Sequence, residues 1–541
     1  MMGRRSTATG WRAARLSLQA AAVLTLLCAV SAPGAFAGPL LDAVRDGNRD
    51  VALKLLDQHA DRHADQHTDQ HADQHADEKS APPSRPAIEG LFANDHSSDG
   101  TTALHWAAHN GDAALVNRLL KAGANARAVN DYGASPMSEA AERGDAGIIE
   151  QLLKAGADVE SPNAEGQTAL MTVARTNHID AATVLLKHKA NVNAREQWRG
   201  QTALMWAAAQ GQPEMVQLLI KHKAEVNARS DVRVWARKVT AEPRPQNRPS
   251  GGFTALLLAA REGCVACAEI LVTKGKADIN LADPDNITPL NMALLNGRWD
   301  LAASLIKLGA NVNRWDTWGR APLYSAVDFN TTPRGGRPDR PSGDKTTGLE
   351  VIDLLLQKGA NPNMQLKLFP PYRSLGQDRG GDSMLTVGTT PLIRAAKAGD
   401  NGAVKLLLAH GALPNLPNSL GITPLLAAAG IGSTTIDIRA RFRNEDQCID
   451  TGKLLVAGGA NVNATNDNGQ TALHGAALWG WTKYVQFLAD SGADLEAKDR
   501  TGMRALDVAL GKNSGTGRGG LSAAEPHPET AALLQKLQAA N

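Results

Sequence analysis

The sequence predicts an all-α solenoid of about twelve helix-turn-helix units, with short β-hairpin-like turns between units and several inserted loops. The first observation is a capping residue that returns mostly every 33 or 34 positions. The second is a leucine two places after it and a small residue five places after it. The third is a composition with only 4% aromatic residues and abundant glycine and alanine, as expected where helices pack closely.

The pattern of the first 37 residues predicts a secretory signal peptide. Arg4, Arg5, Arg12 and Arg15 precede the apolar run LSLQAAAVLTLLCAV, and the pattern SAPGAFA predicts cleavage after Ala37. The alternative is an N-terminal membrane anchor, for which the apolar run is short. We expect export to the periplasm, with the extracellular space as the other destination. Cleavage would change the formal net charge from +2 to −2, so no global charge attracts nucleic acid or an anionic membrane.

Each part of the repeated unit has a physical reason. The capping residue is mostly threonine, whose hydroxyl accepts a backbone N–H at the start of the first helix, and a following proline suits the first helical turn. The leucine column predicts the core, and the small-residue column predicts the seam where neighbouring helices approach. The capping column is Thr102, Ser135, Thr168, Thr202, Thr254, Thr288, Ala321, Thr390, Thr423, Thr471 and Arg504.

Three stretches show the full pattern: TTALHWAAHNGDAALVNRLLKAGANARAVNDYG, QTALMWAAAQGQPEMVQLLIKHKAEVNARS and ITPLNMALLNGRWDLAASLIKLGANVNRWDTWG. This pattern resembles the ankyrin repeat. The resemblance implies an ankyrin solenoid that binds proteins, with its first helices lining a concave groove. The stretches APLYSAVDF and RGQTALMWAAAQG make the chain similar to exported bacterial ankyrin-repeat proteins.

The predicted boundaries follow from where this pattern starts, stops and is interrupted. The stretch PLLDAVRDGNRDVALKLL indicates a degenerate first unit. The predicted organisation is 1–37 signal peptide, 38–58 degenerate unit, 59–98 His/Asp tract and Pro-rich linker, 99–229 repeats, 230–252 inserted loop, 253–330 repeats, 331–348 inserted loop, 349–363 second helix of an interrupted repeat, 364–388 inserted loop, 389–510 repeats with an insert near 431–448, and 511–541 Gly-rich loop and capping helix.

The position four places after the capping residue varies while its neighbours stay fixed. A position that the scaffold leaves free is available for recognition, and the resemblance places it on the first helix. We therefore expect this column to be part of the recognition surface. The candidate partner-binding residues in it are Trp106, Glu139, Trp206, Met292 and Arg394.

Three tryptophans, Trp198, Trp315 and Trp318, fall in the turns that join repeats, where a large aromatic side chain has little core to enter. Exposed aromatic residues often mark binding sites, so these are further candidates. The alternative is that they pack on neighbouring turns. The inserts leave two interpretations open as well, binding loops or tolerated loops without function.

Two adjacent repeats end their second helices in the same letters, KHKA, which contribute Lys187, Lys189, Lys221 and Lys223. Lys189 and Lys223 replace the glycine that usually adopts the left-handed conformation at a helix end. The functional interpretation is a site for an anionic partner. The alternative is a recent duplication with solvated lysines.

The stretch REGCVACAEI places Cys264 at the start of a second helix and Cys267 one turn later. This pair is open to three interpretations: packed thiols, a structural disulfide, or redox or metal chemistry.

The tract QHADRHADQHTDQHADQHADE repeats a histidine every fourth residue, at His59, His63, His67, His71 and His75. On a helix this spacing would bring neighbouring imidazoles within reach of one zinc or nickel ion. The alternative is an expanded repeat tip without function, a solvated low-complexity segment.

The sequence predicts a non-catalytic protein-binding scaffold, exported from the cytoplasm, that uses the first-helix groove, the turns and the inserts. We expect a monomer with no cofactor, another protein as partner, and neither nucleic acid nor membrane bound after cleavage. No Walker loop, nucleophile elbow, H-E-x-x-H or dinucleotide motif is present in the sequence. The alternative is a metal-binding or redox accessory protein that uses the histidine tract and the C-x-x-C pair.

Overall fold

The structure is a computed structural model that describes residues 38–68, 92–237, 246–331, 343–368, 386–431, 444–512 and 526–540. The side chains of residues 60–68 and 234–249 lie outside this description. The predicted signal peptide, His71, His75 and most of the inserted residues also lie outside it. The chain divides into unit 1, residues 1–164, and unit 2, residues 165–541.

Unit 1 contains three helix pairs in its described part. In each pair an odd-numbered first helix is followed by an even-numbered second helix, and neighbouring first helices pack side by side, as do neighbouring second helices. The helices are α1 Pro39–Arg45, α2 Arg49–Thr68, α3 Ala103–Asn110, α4 Ala113–Lys121, α5 Pro136–Arg143 and α6 Ala146–Lys154.

Unit 2 repeats the same arrangement through nine pairs and adds one two-stranded antiparallel sheet in its described part. Its first helices are α7 Ala169–Thr176, α9 Ala203–Ala209, α11 Ala255–Glu262, α13 Pro289–Leu295, α15 Pro322–Asn330, α17 Pro391–Ala398, α19 Pro424–Ala428, α21 Ala472–Leu478 and α23 Ala505–Ala509. Its second helices are α8 Ile179–Lys187, α10 Pro213–Lys221, α12 Val265–Thr273, α14 Trp299–Lys307, α16 Gly348–Gln357, α18 Asn401–Ala409, α20 Glu445–Ala457, α22 Thr482–Asp490 and α24 Pro528–Ala540.

The fold prediction is confirmed: the described part of the chain is built of paired helices, with the two strands β1 Val232–Arg237 and β2 Gln246–Gly251 as its sheet. These strands pair within the stretch predicted as the first inserted loop, with Val232 opposite Gly251. The small-residue column forms the seam, since its members from Ala107 to Ala509 are completely buried. Close packing of first helices therefore depends on a small residue at this column, which is alanine at every member except Val173.

The capping column begins the first helices as predicted. The Thr254 hydroxyl, for example, accepts a hydrogen bond from the Leu257 amide at 3.2 Å. At the second-helix ends, Gly309 and Gly359 take left-handed φ values of 93° and 82°, which glycine adopts at least cost.

A side chain that accepts two backbone hydrogen bonds shapes the turn between repeats. In one turn of unit 2, Asp283 Oδ1 accepts from the Asp285 and Ile287 amides at 3.0 and 2.8 Å. Asparagine does the same in other turns: Asn418 Oδ1 accepts from the amides two and four residues on, at 2.9 and 3.1 Å. Either residue type therefore satisfies the turn backbone.

An asparagine ladder links the ends of successive second helices in unit 2. Asn363 shows the pattern: its Nδ2 donates to the Gly411 carbonyl at 3.0 Å, and its Oδ1 accepts from the Leu413 amide at 2.8 Å. Asn313 and Asn415 make the same two bonds to the repeats that follow them. The asparagine four places after the glycine at the second-helix end thus joins neighbouring repeats.

Candidate functional site

The column four places after the capping residue is more buried than the sequence predicted. Trp106, Glu139 and Trp206 are half-buried, while Met292 and Arg394 are buried. The expectation that Met292 and Arg394 lie on an open recognition surface is therefore wrong. The reason is close packing: first helices approach at the alanine seam one place further on, so a neighbour covers much of this position as well.

Arg394 is held by an ion pair inside the protein. Its Nε donates to Asp328 Oδ1 at 2.5 Å, and both side chains are over 90% buried. Asp328 stands on α15 and Arg394 on α17, so the pair joins two neighbouring first helices. A buried charge needs its partner, so the role that the contacts assign to Arg394 is structural.

The exposed residues of α3 and α5 are at the C-terminal ends of these helices, where four residues lie close together. His109 Nδ1 lies 2.9 Å from Glu139 Oε2, and the rings of Trp106 and His109 contact edge to face at 5.7 Å. Arg143 Nη1 donates to the His109 carbonyl at 3.2 Å. We call Trp106, His109, Glu139 and Arg143 the unit 1 cluster.

The unit 1 cluster combines an aromatic surface with charge of both signs. The hydrogen bond to the Glu139 carboxylate raises the pKa of His109 above its usual value, although burial opposes this. His109 and Arg143 are exposed. The sequence prediction found Trp106 and Glu139 but missed His109 and Arg143, which lie one helical turn further along the same faces.

In unit 2 the half-buried Trp206 takes the equivalent place on α9. Its Nε1 is buried and has no hydrogen-bond partner in the described part of the chain. Gln210, at the end of the same helix, is exposed. Trp206 therefore offers a partly open indole surface, with the exposed Gln210 one helical turn further along.

The three turn tryptophans divide into two exposed and one buried. Trp198 is 59% exposed and Trp315 is 40% exposed, and each faces a cation. The Arg233 guanidinium lies 5.3 Å from the centre of the Trp198 ring, and Lys367 Nζ lies 3.3 Å from that of Trp315. Both remain candidates for partner contact.

The expectation that Trp318 is an exposed binding residue is wrong, because its side chain is only 5% exposed. Its ring lies beneath the Arg320 guanidinium at 4.9 Å, and Arg320 forms a fully buried ion pair with Asp316 at 2.5 Å. The Trp318 carbonyl also accepts hydrogen bonds from the amides of Lys367 and Leu368 in the next turn. The alternative that the sequence left open, packing on a neighbouring turn, applies to this tryptophan.

Lysines occupy the left-handed position at the ends of α8 and α10, as the sequence predicted. Lys189 has φ 68° and Lys223 has φ 67°, and both are exposed along with Lys187 and Lys221. The sequence analysis missed a third example, Lys276 with φ 58°, after α12. An extra residue before it hides the equivalence, since Gly275 precedes Lys276.

Cys264 and Cys267 are joined by a disulfide bond. Cys267 is buried and Cys264 is half-buried at the start of α12, where its sulfur accepts a hydrogen bond from the Cys267 amide at 3.2 Å. The pair thus caps a second helix and cross-links its first turn. The other described cysteine, Cys448, is buried in α20.

The histidine tract begins inside a helix. Helix α2 continues to Thr68 and so includes His59, His63 and His67, and the His59 ring contacts Phe92 at 4.2 Å. The side chains of His63 and His67, together with His71 and His75, lie outside the described residues. In the part of the chain that is described, no three His, Cys, Asp or Glu side chains form a group that could hold a metal ion.

An aromatic ladder that the sequence analysis missed lies near the start of α22. Trp479 and Trp481 stack at 5.8 Å, Trp481 contacts Tyr484 at 6.1 Å, and Tyr484 stacks on Phe487 at 5.8 Å. The Trp479 Nε1 donates to the Gly430 carbonyl of the preceding repeat at 3.0 Å. The stretch WGWTKYVQF contains an unusual concentration of aromatic residues, from which this aromatic ladder could have been predicted.

Across residues 38–68, 92–237 and the later described ranges, no helix is both long and apolar enough to cross a membrane.

Family comparison agrees with this geometry. The family model "Ankyrin repeats (3 copies)" matches residues 83–163, 138–230, 237–316, 256–366 and 440–516. The family model "Ankyrin repeat" matches residues 387–419. The chain belongs to the ankyrin-repeat family. Proteins of this family generally serve as protein-interaction scaffolds.

The relatives are diverse proteins that share the repeats. The chain is 29% identical over 293 residues to the B-cell lymphoma 3 protein homolog of Mus musculus, covering 47% of this chain and 57% of that protein. It is 27% identical over 232 residues to the transient receptor potential cation channel subfamily A member 1 homolog of Caenorhabditis elegans, covering 43% and 15%. It is 24% identical over 280 residues to the E3 ubiquitin-protein ligase KEG of Arabidopsis thaliana, covering 49% and 16%. The chain spans less than two thirds of each of these relatives.

Proposed function

We propose that this protein is a non-catalytic scaffold that binds another protein through the exposed ends of its first helices, with the turn tryptophans as further contacts. The observation that carries the proposal is the unit 1 cluster. Packing and capping account for most buried side chains of α3 and α5, whereas Trp106, His109, Glu139 and Arg143 present aromatic and charged groups to solvent.

The composition of this surface suits a protein partner. Tryptophan and arginine are the residue types that contribute most to protein–protein binding energy. Half-buried Trp106 and Trp206 lose little side-chain freedom on binding, since each is already held by its own helix.

We further propose that the protein acts outside the cytoplasm. The support is the N-terminal pattern of arginines, apolar run and small residues, together with the disulfide between Cys264 and Cys267, a bond that persists in oxidising compartments. Intact-mass measurement of the chain purified from the exported fraction tests this: a chain that starts at Gly38 supports it, and a chain that keeps residues 1–37 contradicts it.

The binding proposal is tested by affinity capture. The wild-type chain and a double variant, Trp106→Ala with Trp206→Ala, are immobilised and exposed to the proteins of the same compartment. A protein recovered by the wild type and lost by the double variant supports the proposal. Equal recovery by both would contradict binding through the first helices.

The cysteine pair favours one second candidate, a redox accessory function. Cys264 is the half-exposed member of a C-x-x-C disulfide at a helix start, the spacing and position at which redox-active cysteines are found. Cysteine-to-serine substitution of both residues separates the two functions, because a scaffold keeps its partner and a redox protein loses its activity.

A further inference from the structure

Eight exposed lysines stand at the C-terminal ends of five consecutive second helices in unit 2, from α8 to α16. None forms an ion pair with a residue that the structure describes. The next three second helices of the unit end in His410, Gly458 and Ser491 instead. We call the eight the lysine row: Lys187, Lys189, Lys221, Lys223, Lys274, Lys276, Lys307 and Lys358.

The lysine row is continuous because the helices that carry it are neighbours. Each second helix from α8 to α16 packs on the next, and packed helix axes lie about 8–10 Å apart. A side-chain contact spans one of these steps: Lys274 Nζ donates to Gln217 Oε1 of the preceding helix at 2.9 Å. The row thus repeats one or two positive charges about every 10 Å along a line.

Few acidic groups offset this charge. Glu225 and Asp278 follow the lysines of α10 and α12 by two residues and are exposed at the same end of the repeats. Eight lysines less these two acids leave a net charge of +6 at the helix ends, and Glu269 and Asp353, five residues before Lys274 and Lys358 on the same helices, reduce it to +4 with the histidines neutral. The two nearby histidines, His188 and His222, would add to it when protonated.

Three members of the row occupy a backbone conformation that disfavours lysine. Lys189, Lys223 and Lys276 have φ of 68°, 67° and 58°, in the left-handed region that glycine adopts more readily than a residue with a side chain. Gly309 and Gly359 occupy this place in the next two repeats. The chain therefore uses lysine three times in succession where glycine would be the more stable choice.

Two simpler explanations do not cover all three strained lysines. The helix dipole favours cations in the last helical turn, which accounts for Lys187 and Lys221 but not for residues beyond the helix end. Duplication accounts for the identical KHK letters before Ala190 and Ala224, but Lys276 lies in the different stretch TKGK. Strain that persists in independent sequences indicates a use for the charge.

We propose that the lysine row binds an acidic segment of a partner protein. This deepens the proposed function and rests on it, since it names the chemistry of a second contact with a protein. The row lies at the ends of the second helices, a different layer of unit 2 from the first helix that carries Trp206. The two contacts can therefore be tested separately.

The composition of the row favours a protein segment over other polyanions. The exposed large apolar side chains of the described residues fall outside the row, so it lacks the aromatic platforms that bind single-stranded nucleic acid and the apolar groups that enter a membrane. Glu225 and Asp278 interrupt the charge, which suits a mixed acidic sequence better than a uniformly charged polymer. An extended segment spans the five repeats with about three residues per repeat.

The experiment measures binding of a fluorescent peptide of about 15 residues, rich in glutamate, to the full chain by fluorescence anisotropy. The test variant is Lys189→Gly, Lys223→Gly and Lys276→Gly. We expect about tenfold weaker peptide binding than wild type, with a urea midpoint equal to or above that of wild type because glycine relieves the backbone. The matched control removes three exposed lysines elsewhere in unit 2, Lys405→Gln, Lys453→Gln and Lys498→Gln, and should keep wild-type binding.

Three outcomes would overturn the proposal. One is no saturable peptide binding by the wild type, and another is equal affinity in the test and control variants. The third is tighter binding of single-stranded DNA, or of vesicles containing phosphatidylserine, than of the acidic peptide. Trp206→Ala should leave peptide binding unchanged, so a failure here is distinct from a failure of the first-helix site.

Discussion

Replacing Asp283 by asparagine should stabilise unit 2 at neutral pH. Asp283 shapes a turn by accepting two backbone hydrogen bonds, and Asn418 makes the same two bonds without a charge in another turn. Burial raises the pKa of Asp283 from 3.8 to about 6, and the nearby carboxylates of Asp285 and Asp316 add to this. Ionising this side chain therefore costs the folded protein free energy.

The size of the effect follows from the two pKa values. Each unit of difference between the folded and unfolded pKa corresponds to about 1.36 kcal/mol. The free energy of unfolding is therefore lowered by about 3 kcal/mol above pH 6, where Asp283 is ionised in both states. Because the Asp283 side chain is only half-buried and water screens it, we halve this to about 1.5 kcal/mol. The sign is fixed: the folded state holds the proton between pH 3.8 and about 6, so stability falls as pH rises through that window. The substituted asparagine has no proton to lose, so the gain from Asp283→Asn at about pH 4.5 should be about a third of the gain at about pH 7.5.

Urea unfolding followed by helical circular dichroism at these two pH values measures both quantities. The matched control is Asp316→Asn in the next turn, which makes the same chemical change. Burial raises the pKa of Asp316 as well, but its carboxylate also pairs with the buried Arg320. Removing that partner should destabilise by about 3–5 kcal/mol. A loss of stability at neutral pH in Asp283→Asn, or a gain independent of pH, would refute the reasoning.

Three further predictions concern the scaffold. Asn363→Ala should lower the urea-unfolding free energy by about 1–2 kcal/mol, because two hydrogen bonds between repeats are lost; no change would contradict the ladder. Arg394→Leu should cost about 3–5 kcal/mol in the same measurement and be largely rescued by adding Asp328→Leu; a stable single variant would argue against a structural pair. Cys264→Ser with Cys267→Ser should lower stability by about 2 kcal/mol and leave partner capture intact, whereas lost capture would favour the redox alternative.

The fold was predictable because the chain contains many copies of one unit. A threonine cap, a core leucine and a seam alanine must recur wherever a repeat packs on another, and Thr254, Leu256 and Ala259 show all three in the structure. Comparing the copies with one another shows which positions every repeat needs, which a single copy cannot show. The asparagine ladder was present in the same letters, but its partners, such as Gly411 for Asn363, lie in the following repeat and need the stacked structure.

The candidate site was less predictable from the sequence. Variation at the position four places after the capping residue was interpreted as a sign that its side chains are exposed. Arg394 varies from its counterparts because Asp328, 66 residues earlier, compensates for it inside the protein. Trp315 and Trp318 are three residues apart in one turn, yet Trp318 is buried beneath Arg320, whereas Trp315 stays 40% exposed with Lys367 over its ring. The sequence predicts where each residue lies in its repeat, but it does not predict which residue of another repeat its side chain contacts.

The central claim is that the first helices bind a protein partner, and the most direct test is the dissociation constant of the captured partner measured by calorimetry. The Trp106→Ala, Trp206→Ala variant is compared with a control that removes two exposed turn tryptophans, Trp198→Ala and Trp315→Ala, after circular dichroism shows that both fold. We predict about tenfold or more weaker binding in the first variant and a smaller loss in the second. Wild-type affinity in the first variant would contradict a first-helix binding site.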